Sequence, residues 1–321
     1  MYKTALRQRL ICKRLRYCCA DVVCLDEYQL QMNEYSENPT SHSYFSQRLR
    51  LHFLDWGNND SRGMLLVHGI QDHCRSWDWL AQSFRSRYHI VAPDLRGHGD
   101  SEWSKGATYS RLEYVYDLAQ LVKQQELNPV TVVSHSLGGT IASIYAGLYP
   151  ENIEKLIIIE GIGFYPRSEA NQPAALIRDW ISTNHQLAGR VPKRYETQED
   201  AYLRMQKTNP HLSPSQARHL TQNGSNRNED GTYSWKFDNY TRSRTPYDVP
   251  EKDMQQLWRR IDCPVLIINS KQGYPNRIGQ NGTLKYFSDV RLIEIDKAGH
   301  WTHHDQLRQV IDAVDSFLIE H

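Results

Sequence analysis

With 321 residues, the chain is long enough for one large α/β domain carrying an insertion, or for two average domains. Its 38 basic and 37 acidic side chains leave a net charge of +1, which argues against nucleic acid or an anionic membrane as partner and favours a small-molecule substrate. Hydrophobic residues make up 39% of the sequence, yet no apolar run nears the roughly 18 residues needed to cross a bilayer, so no integral membrane segment is predicted.

Residues 1–40 read as an N-terminal extension. Six basic residues (Lys3, Arg7, Arg9, Lys13, Arg14, Arg16) precede the first acid, Asp21, with Leu6, Leu10, Ile11 and Leu15 at helical spacing. That pattern fits an organelle-targeting peptide in charge but not in serine content, and the plainer reading is a loosely ordered extension. The cysteines (Cys12, Cys18, Cys19, Cys24, Cys74, Cys263) match no zinc spacing and read as reduced thiols of a cytoplasmic protein.

From Tyr44 the sequence alternates, and Arg48 to Trp56 predicts an antiparallel-type strand closed by a turn at Gly57 to Asp60. Met64 to Val67 is a continuous apolar run, the mark of a strand covered on both faces. It ends in His68-Gly69-Ile70, where the glycine allows a sharp turn and lets the Ile70 N–H face a developing negative charge. A helix near 77–84 leads to a buried strand at 88–92 and then to Asp94-Leu95-Arg96-Gly97-His98-Gly99-Asp100-Ser101, a tight turn that Asp94 and Arg96 brace. A helix follows over 112–121, with Leu112, Val115, Tyr116, Leu118, Ala119 and Val122 on one face.

Val130 to Ser134 is strand-like, His135-Ser136-Leu137-Gly138-Gly139 is a sharp turn, and 140–149 is helical. A serine at such an apex has its hydroxyl lifted clear of the sheet, beside the N–H of Leu137 and the start of a helix. Lys155 to Ile159 is another buried run and ends on Glu160-Gly161. A charge ending such a run needs a partner. A histidine N–H would serve, as would a helix cap or an arginine such as Arg178.

Residues 163–255 lose this rhythm. They are polar with scattered aromatics, helical near 171–187, 197–208 and 214–222, and turn-rich over 223–231, which predicts an inserted helical lid. Core rhythm returns with strands at 263–269 and 290–295, then Gly299-His300, then a helix over 307–318. The organisation expected is an extension (1–40), a first core part (41–162), a lid (163–255) and a second core part (256–321). Strands alternating with helices make this an α/β fold with a mostly parallel sheet and helices on both faces.

Serine needs a base and the base an orienting acid. Among 14 histidines His300 is best placed, after a strand and a glycine, with His303 and His304 close behind as substitutes or supports. The acid is unusual, because no Asp or Glu occurs from Cys263 to Ser288, and Glu160 is the remaining candidate at a strand end beside the serine.

Taken in order, His68-Gly69, Asp94 to Ser101, Ser134-His135-Ser136-Leu137-Gly138-Gly139 and Gly299-His300 resemble the α/β-hydrolase superfamily over about residues 44–320. The Glu160-Gly161 ending, the polar lid and the Gly273-Tyr274 loop are similar to its serine hydrolase-like, or kraken-like, branch. Ser134 stands where glycine is usual. The resemblance implies Ser136, His300 and Glu160 as catalytic triad, the N–H groups of Ile70 and Leu137 as oxyanion hole, and neither a cofactor nor a metal. The reaction it implies is hydrolysis of a small or medium carboxylic ester, thioester or lactone through an acyl-enzyme. A carbon–carbon bond hydrolase with the same three residues, and an inactive protein that keeps the fold for binding, are the alternatives. Attack by aspartate, as in epoxide hydrolases, is disfavoured by the serine at the apex.

Overall fold

The computed structural model describes residues 38–106, 109–164, 173–243 and 245–321. The basic stretch, its expected role as an extension or targeting peptide and the first four cysteines fall in residues 1–37, outside the described residues.

Among the described residues there are ten strands: β1 Thr40–Ser46, β2 Leu49–Asp55, β3 Gly63–Val67, β4 His89–Pro93, β5 Val130–His135, β6 Ile153–Ile159, β7 Ser225–Arg227, β8 Tyr233–Trp235, β9 Val265–Ser270 and β10 Val290–Ile295. Eight of them form one sheet in the order β1-β2-β4-β3-β5-β6-β9-β10. All pairings from β4 to β10 are parallel, and only β2 runs against its neighbours β1 and β4. The helices are α1 Asp78–Phe84, α2 Arg111–Gln124, α3 Leu137–Leu148, α4 Pro173–Ala188, α5 Gln198–Thr208, α6 Pro214–Gly224, α7 Glu251–Trp258, α8 Thr302–Asp305 and α9 Leu307–Glu320.

Strands β3, β5 and β9 are buried at every position, which is why they read as unbroken apolar runs rather than as alternation. Odd and even positions feed different cores. Leu65, Val67, Val132, Ile158 and Ile267 pack with α2, α3 and α7 on one face, while Met64, Leu66, Val133, Ile157 and Ile268 pack with α1 and α9 on the other. Capping boxes fix three helix starts, at Ser110–Glu113, Thr197–Asp200 and Ser213–Gln216.

Several expectations change in detail. β1 begins at Thr40, before the alternation at Tyr44, because its outer positions face solvent and carry no apolar signal. The buried face of α2 is Tyr114, Val115, Leu118, Leu121 and Val122; Leu112 and Tyr116 are exposed. The turn-rich stretch 223–231 is only partly a loop, since β7 lies within it and pairs with β8. Helix α7 spans residue 255, the expected end of the lid, and buries Met254 and Trp258 in the main core, with the Trp258 indole donating to Ser143 Oγ at 2.9 Å. Cys74 and Cys263 are free, buried thiols, and burial pushes Cys263 up to about 12. Among the described residues no helix is long and apolar enough to cross a membrane.

Candidate active site

The turn between β5 and α3 places Ser136 at φ 54° and ψ −116°, a strained conformation that non-glycine residues rarely adopt. Close packing holds it there. A Cβ on Gly138 would collide with the carbonyl oxygens of Val67 and His68, so this position accepts glycine alone. At residue 134 serine replaces the usual glycine without a clash, and its hydroxyl donates to the Ile157 carbonyl at 2.9 Å on the adjacent strand.

Three parallel strands then deliver the partners at their carboxyl ends, where open α/β sheets gather ligands. The loop after β10 brings His300, whose Nε2 accepts from Ser136 Oγ at 2.8 Å. Its Nδ1–H donates to Glu160 Oε2 at 3.2 Å. Glu160 sits directly after β6 at φ 51°, is fully buried, and donates its own N–H to the Ile268 carbonyl at 2.8 Å. The structure thus brings Ser136, His300 and Glu160 into one hydrogen-bonded line.

The carboxylate has further partners that the sequence did not single out. Oε1 accepts from the Ser270 N–H and from Arg277 Nη1, both at 2.6 Å, and the same guanidinium donates to the Ser270 carbonyl. The arginine that meets Glu160 is therefore Arg277, from the loop after β9, not one from the preceding lid stretch such as Arg178. Gly273 makes room for this pair, because a Cβ there would run into both the carboxylate and the guanidinium. Tyr274 packs its ring against His300 with centroids 4.4 Å apart. Nothing in the local sequence distinguishes Arg277 from Lys271 or Lys285 in the same acid-free loop. Only the folded loop does.

The N–H groups of Ile70 and Leu137 donate to no acceptor among the described residues. Leu137 opens a helix, so its N–H is free by construction. Gly69 lies against the Ser136 turn, where a Cβ would fall 2.9 Å from Ser136 Cβ. His68 sets that turn: its Nδ1–H donates to the Gly69 carbonyl at 2.7 Å, while Nε2 accepts from the Leu95 N–H at 3.0 Å. Burial, then repulsion from His98, lowers the His68 pKa to about 3, which keeps the ring neutral for this donor–acceptor role.

Asp94 and Arg96 brace their loop as expected. Asp94 accepts from the N–H groups of Cys74 and Asp100 and from His52 Nδ1, at 2.7, 2.9 and 2.7 Å. Arg96 grips Asp117 through Nε and Nη2, both at 2.6 Å. Asp305 holds the loop that carries His300 by accepting from the Gly299 N–H at 2.7 Å.

Over the carboxyl edge lies the segment between β6 and β9. In it α6 takes His73 Nε2–H on the Leu220 carbonyl at 3.0 Å, and Gln216 donates to the His304 carbonyl at 2.9 Å. A narrow cavity between this segment and the sheet loops is lined by Asp72, His73, Leu220, Trp235, Phe237 and Trp301.

The chain belongs to the α/β-hydrolase fold family, whose profile matches residues 64–307. It is similar to the serine hydrolase-like protein of zebrafish, Danio rerio, at 24% identity over 82% of this chain and 83% of the relative. It is also similar to epoxide hydrolase 1 of Caenorhabditis elegans, at 24% identity over 85% of this chain and 68% of that protein. A solved hypothetical protein of Pseudomonas aeruginosa has the same fold, with a TM-score of 0.76 at 22% identity over 88% of this chain and 99% of that one.

Proposed function

We propose that the chain is a serine hydrolase that cleaves a small or medium carboxylic ester, thioester or lactone through an acyl-enzyme. The observation that carries this reading is the unbroken line from Ser136 Oγ through both nitrogens of His300 to Glu160. His300 takes the proton from Ser136 as the hydroxyl attacks the carbonyl carbon. Glu160 holds the ring with Nε2 unprotonated and stabilises the imidazolium that forms. The N–H groups of Ile70 and Leu137 receive the oxyanion. His300 then protonates the leaving group, and water attacks the acyl-serine with the same base. No organic cofactor is needed for these steps.

The segment 163–255 acts as a lid, its aromatic side chains giving the acyl or leaving group an apolar wall. The name of the zebrafish relative agrees with a serine nucleophile. The epoxide hydrolase of Caenorhabditis elegans is named for a reaction that calls for a carboxylate nucleophile, and at the apex here stands serine.

Labelling with a fluorophosphonate probe tests the reading. Wild-type protein should be labelled and should turn over activated esters, whereas Ser136→Ala and His300→Ala should lose labelling and at least about 10³-fold in turnover. Retained turnover in Ser136→Ala across a broad ester panel would defeat the proposal. A diketone in the same panel separates ester from carbon–carbon cleavage.

A further inference from the structure

Beneath the loop that carries His300 lies a group of buried imidazoles that the hydrolytic reading leaves unused. His135, the residue before the nucleophile, and His303, in α8, face each other with ring centroids 4.5 Å apart. The Asp72 carboxylate joins them, and the donor atoms of the three lie within 4.8 Å of one another. Their exposures are 1% for His135, 2% for His303 and 4% for Asp72.

The neighbours dictate how His135 is protonated. Its Nε2 lies 2.8 Å from the carbonyl oxygen of His300, and a carbonyl only accepts, so Nε2 carries the proton. In the neutral imidazole a proton on Nε2 leaves Nδ1 as the acceptor nitrogen. Nδ1 is thus a bare lone pair, and among the described residues it meets no donor. Neither nitrogen of His303 has a hydrogen-bond partner there either. An orphaned buried polar atom costs about 1–3 kcal/mol, and the two histidines that carry these atoms belong to the same close trio. Residue 69 keeps the space open, because a Cβ on Gly69 would fall 2.9 Å from His135 Nδ1.

We propose that Asp72, His135 and His303 form a binding site for one divalent transition-metal cation of the zinc class. Two imidazole nitrogens and one carboxylate oxygen make a mixed donor set that suits zinc or cobalt rather than magnesium or calcium, which prefer oxygen alone. Metal–ligand bonds of about 2.0–2.1 Å place tetrahedral ligands about 3.3–3.5 Å apart, so the trio closes by a small side-chain movement. Its supports are in place. Metal-binding histidines anchor their other N–H on a carbonyl or carboxylate, as His135 does on His300. Asp72 is oriented by the His73 N–H and the Ser76 hydroxyl, both at 2.9 Å, and Ser76 in turn meets His304 Nε2 at 2.9 Å. Asp72 also lines the narrow cavity under the overlying segment.

A second trio, His52, Cys74 and Asp94, meets the same distance limit. It is already satisfied internally, since Asp94 accepts from three donors, two of them His52 Nδ1 and the Cys74 N–H. It therefore serves as the control.

The test uses the full-length chain, stripped of metal with a chelator and then titrated with zinc chloride or cobalt chloride. Wild-type protein should retain one zinc per chain through gel filtration, and the cobalt form should show visible d–d bands without a thiolate charge-transfer band. His303→Phe keeps the ring stacked on Trp77, at 4.8 Å in the wild type, and removes the orphaned nitrogens. It should match or exceed the wild-type melting temperature without metal and bind zinc at least tenfold more weakly. Cys74→Ser should bind as wild type does. A wild-type chain that retains no zinc overturns the assignment, as do a His303→Phe chain that retains it equally well and a thiolate band in the cobalt spectrum. Metal is read directly, not through turnover, so the outcome is independent of whether Ser136 is the nucleophile.

Discussion

Arg277 donates through Nη1 to Glu160 Oε1 at 2.6 Å, while the other oxygen of the same carboxylate accepts from His300. The carboxylate is fully buried and the guanidinium nearly so, at 0% and 8% side-chain exposure. A buried carboxylate facing histidine alone would lack a full counter-charge, and the arginine with the Ser270 N–H supplies it. Arg277 thus meets His300 only through the Glu160 carboxylate.

Arg277→Met should therefore be costly twice. Leaving a buried carboxylate without its cation destabilises a fold by about 3–5 kcal/mol, to be read as a lowered urea midpoint. If Glu160 orients His300, kcat should also fall by about tenfold while KM changes little, because the substrate does not touch the guanidinium. A variant with lowered stability but unchanged kcat would reduce Arg277 to a purely structural role.

Glu160→Gln tests the acid itself. The amide is nearly isosteric, but its NH2 group would face either Nδ1–H of His300 or Arg277, and only its oxygen can accept. Where such a swap sets the wrong histidine tautomer, kcat drops by about 10³–10⁴. A loss of that size, with fluorophosphonate labelling slowed in parallel, is expected. A loss below tenfold would remove Glu160 from the catalytic line.

How much of this was legible in the sequence depends on the range of the signal. Ser136 announces itself locally at the end of a buried strand just before a glycine pair, His300 after a strand and a glycine, and Glu160 as a charge that ends an apolar run. The parallel sheet is legible for the same reason, since strands such as Val265 to Ile268 are covered on both faces. Arg277 was not legible, because its partner lies on another strand and its own loop is irregular. The two three-residue strands β7 and β8 are too short for alternation to register. The convergence of Asp72, His135 and His303 is tertiary, with no spacing pattern linking three residues so distant in the chain.

Gly138→Ala probes the turn that carries Ser136 without altering Ser136, His300 or Glu160. The added methyl would collide with two carbonyl oxygens at the end of β3 and the start of the Gly69 turn, so helix α3 must move away from the sheet. Overpacking of this kind costs about 1–3 kcal/mol. It should also displace the Leu137 N–H, so an activity loss greater than the stability loss is expected. Ser134→Gly, which exchanges one hydroxyl bond for the usual glycine, should change stability by only about 1 kcal/mol. Comparing the two by urea denaturation and ester turnover checks whether close packing, not polarity, fixes the elbow.

Acid stability offers a test of the buried imidazoles as a group. Burial is the leading cause that lowers the pKa of His68 and His304 to about 3 and of His98 to about 4, and it also holds His135 and His303 well below the usual value. In the unfolded chain each titrates near about 6.5. As pH falls below that value the unfolded state takes up protons that the folded state refuses, so stability is full above about pH 6.5 and is lost progressively towards pH 3–4. Each ring contributes up to about 1.4 kcal/mol per pH unit in that window. Between pH 7.5 and 5.5 the five together should remove several kcal/mol, seen as a marked drop in the urea midpoint. His303→Phe deletes one of the five, so its drop over the same interval should be smaller by about 1 kcal/mol. An equal drop in both proteins would mean that His303 titrates alike in the folded and unfolded chains.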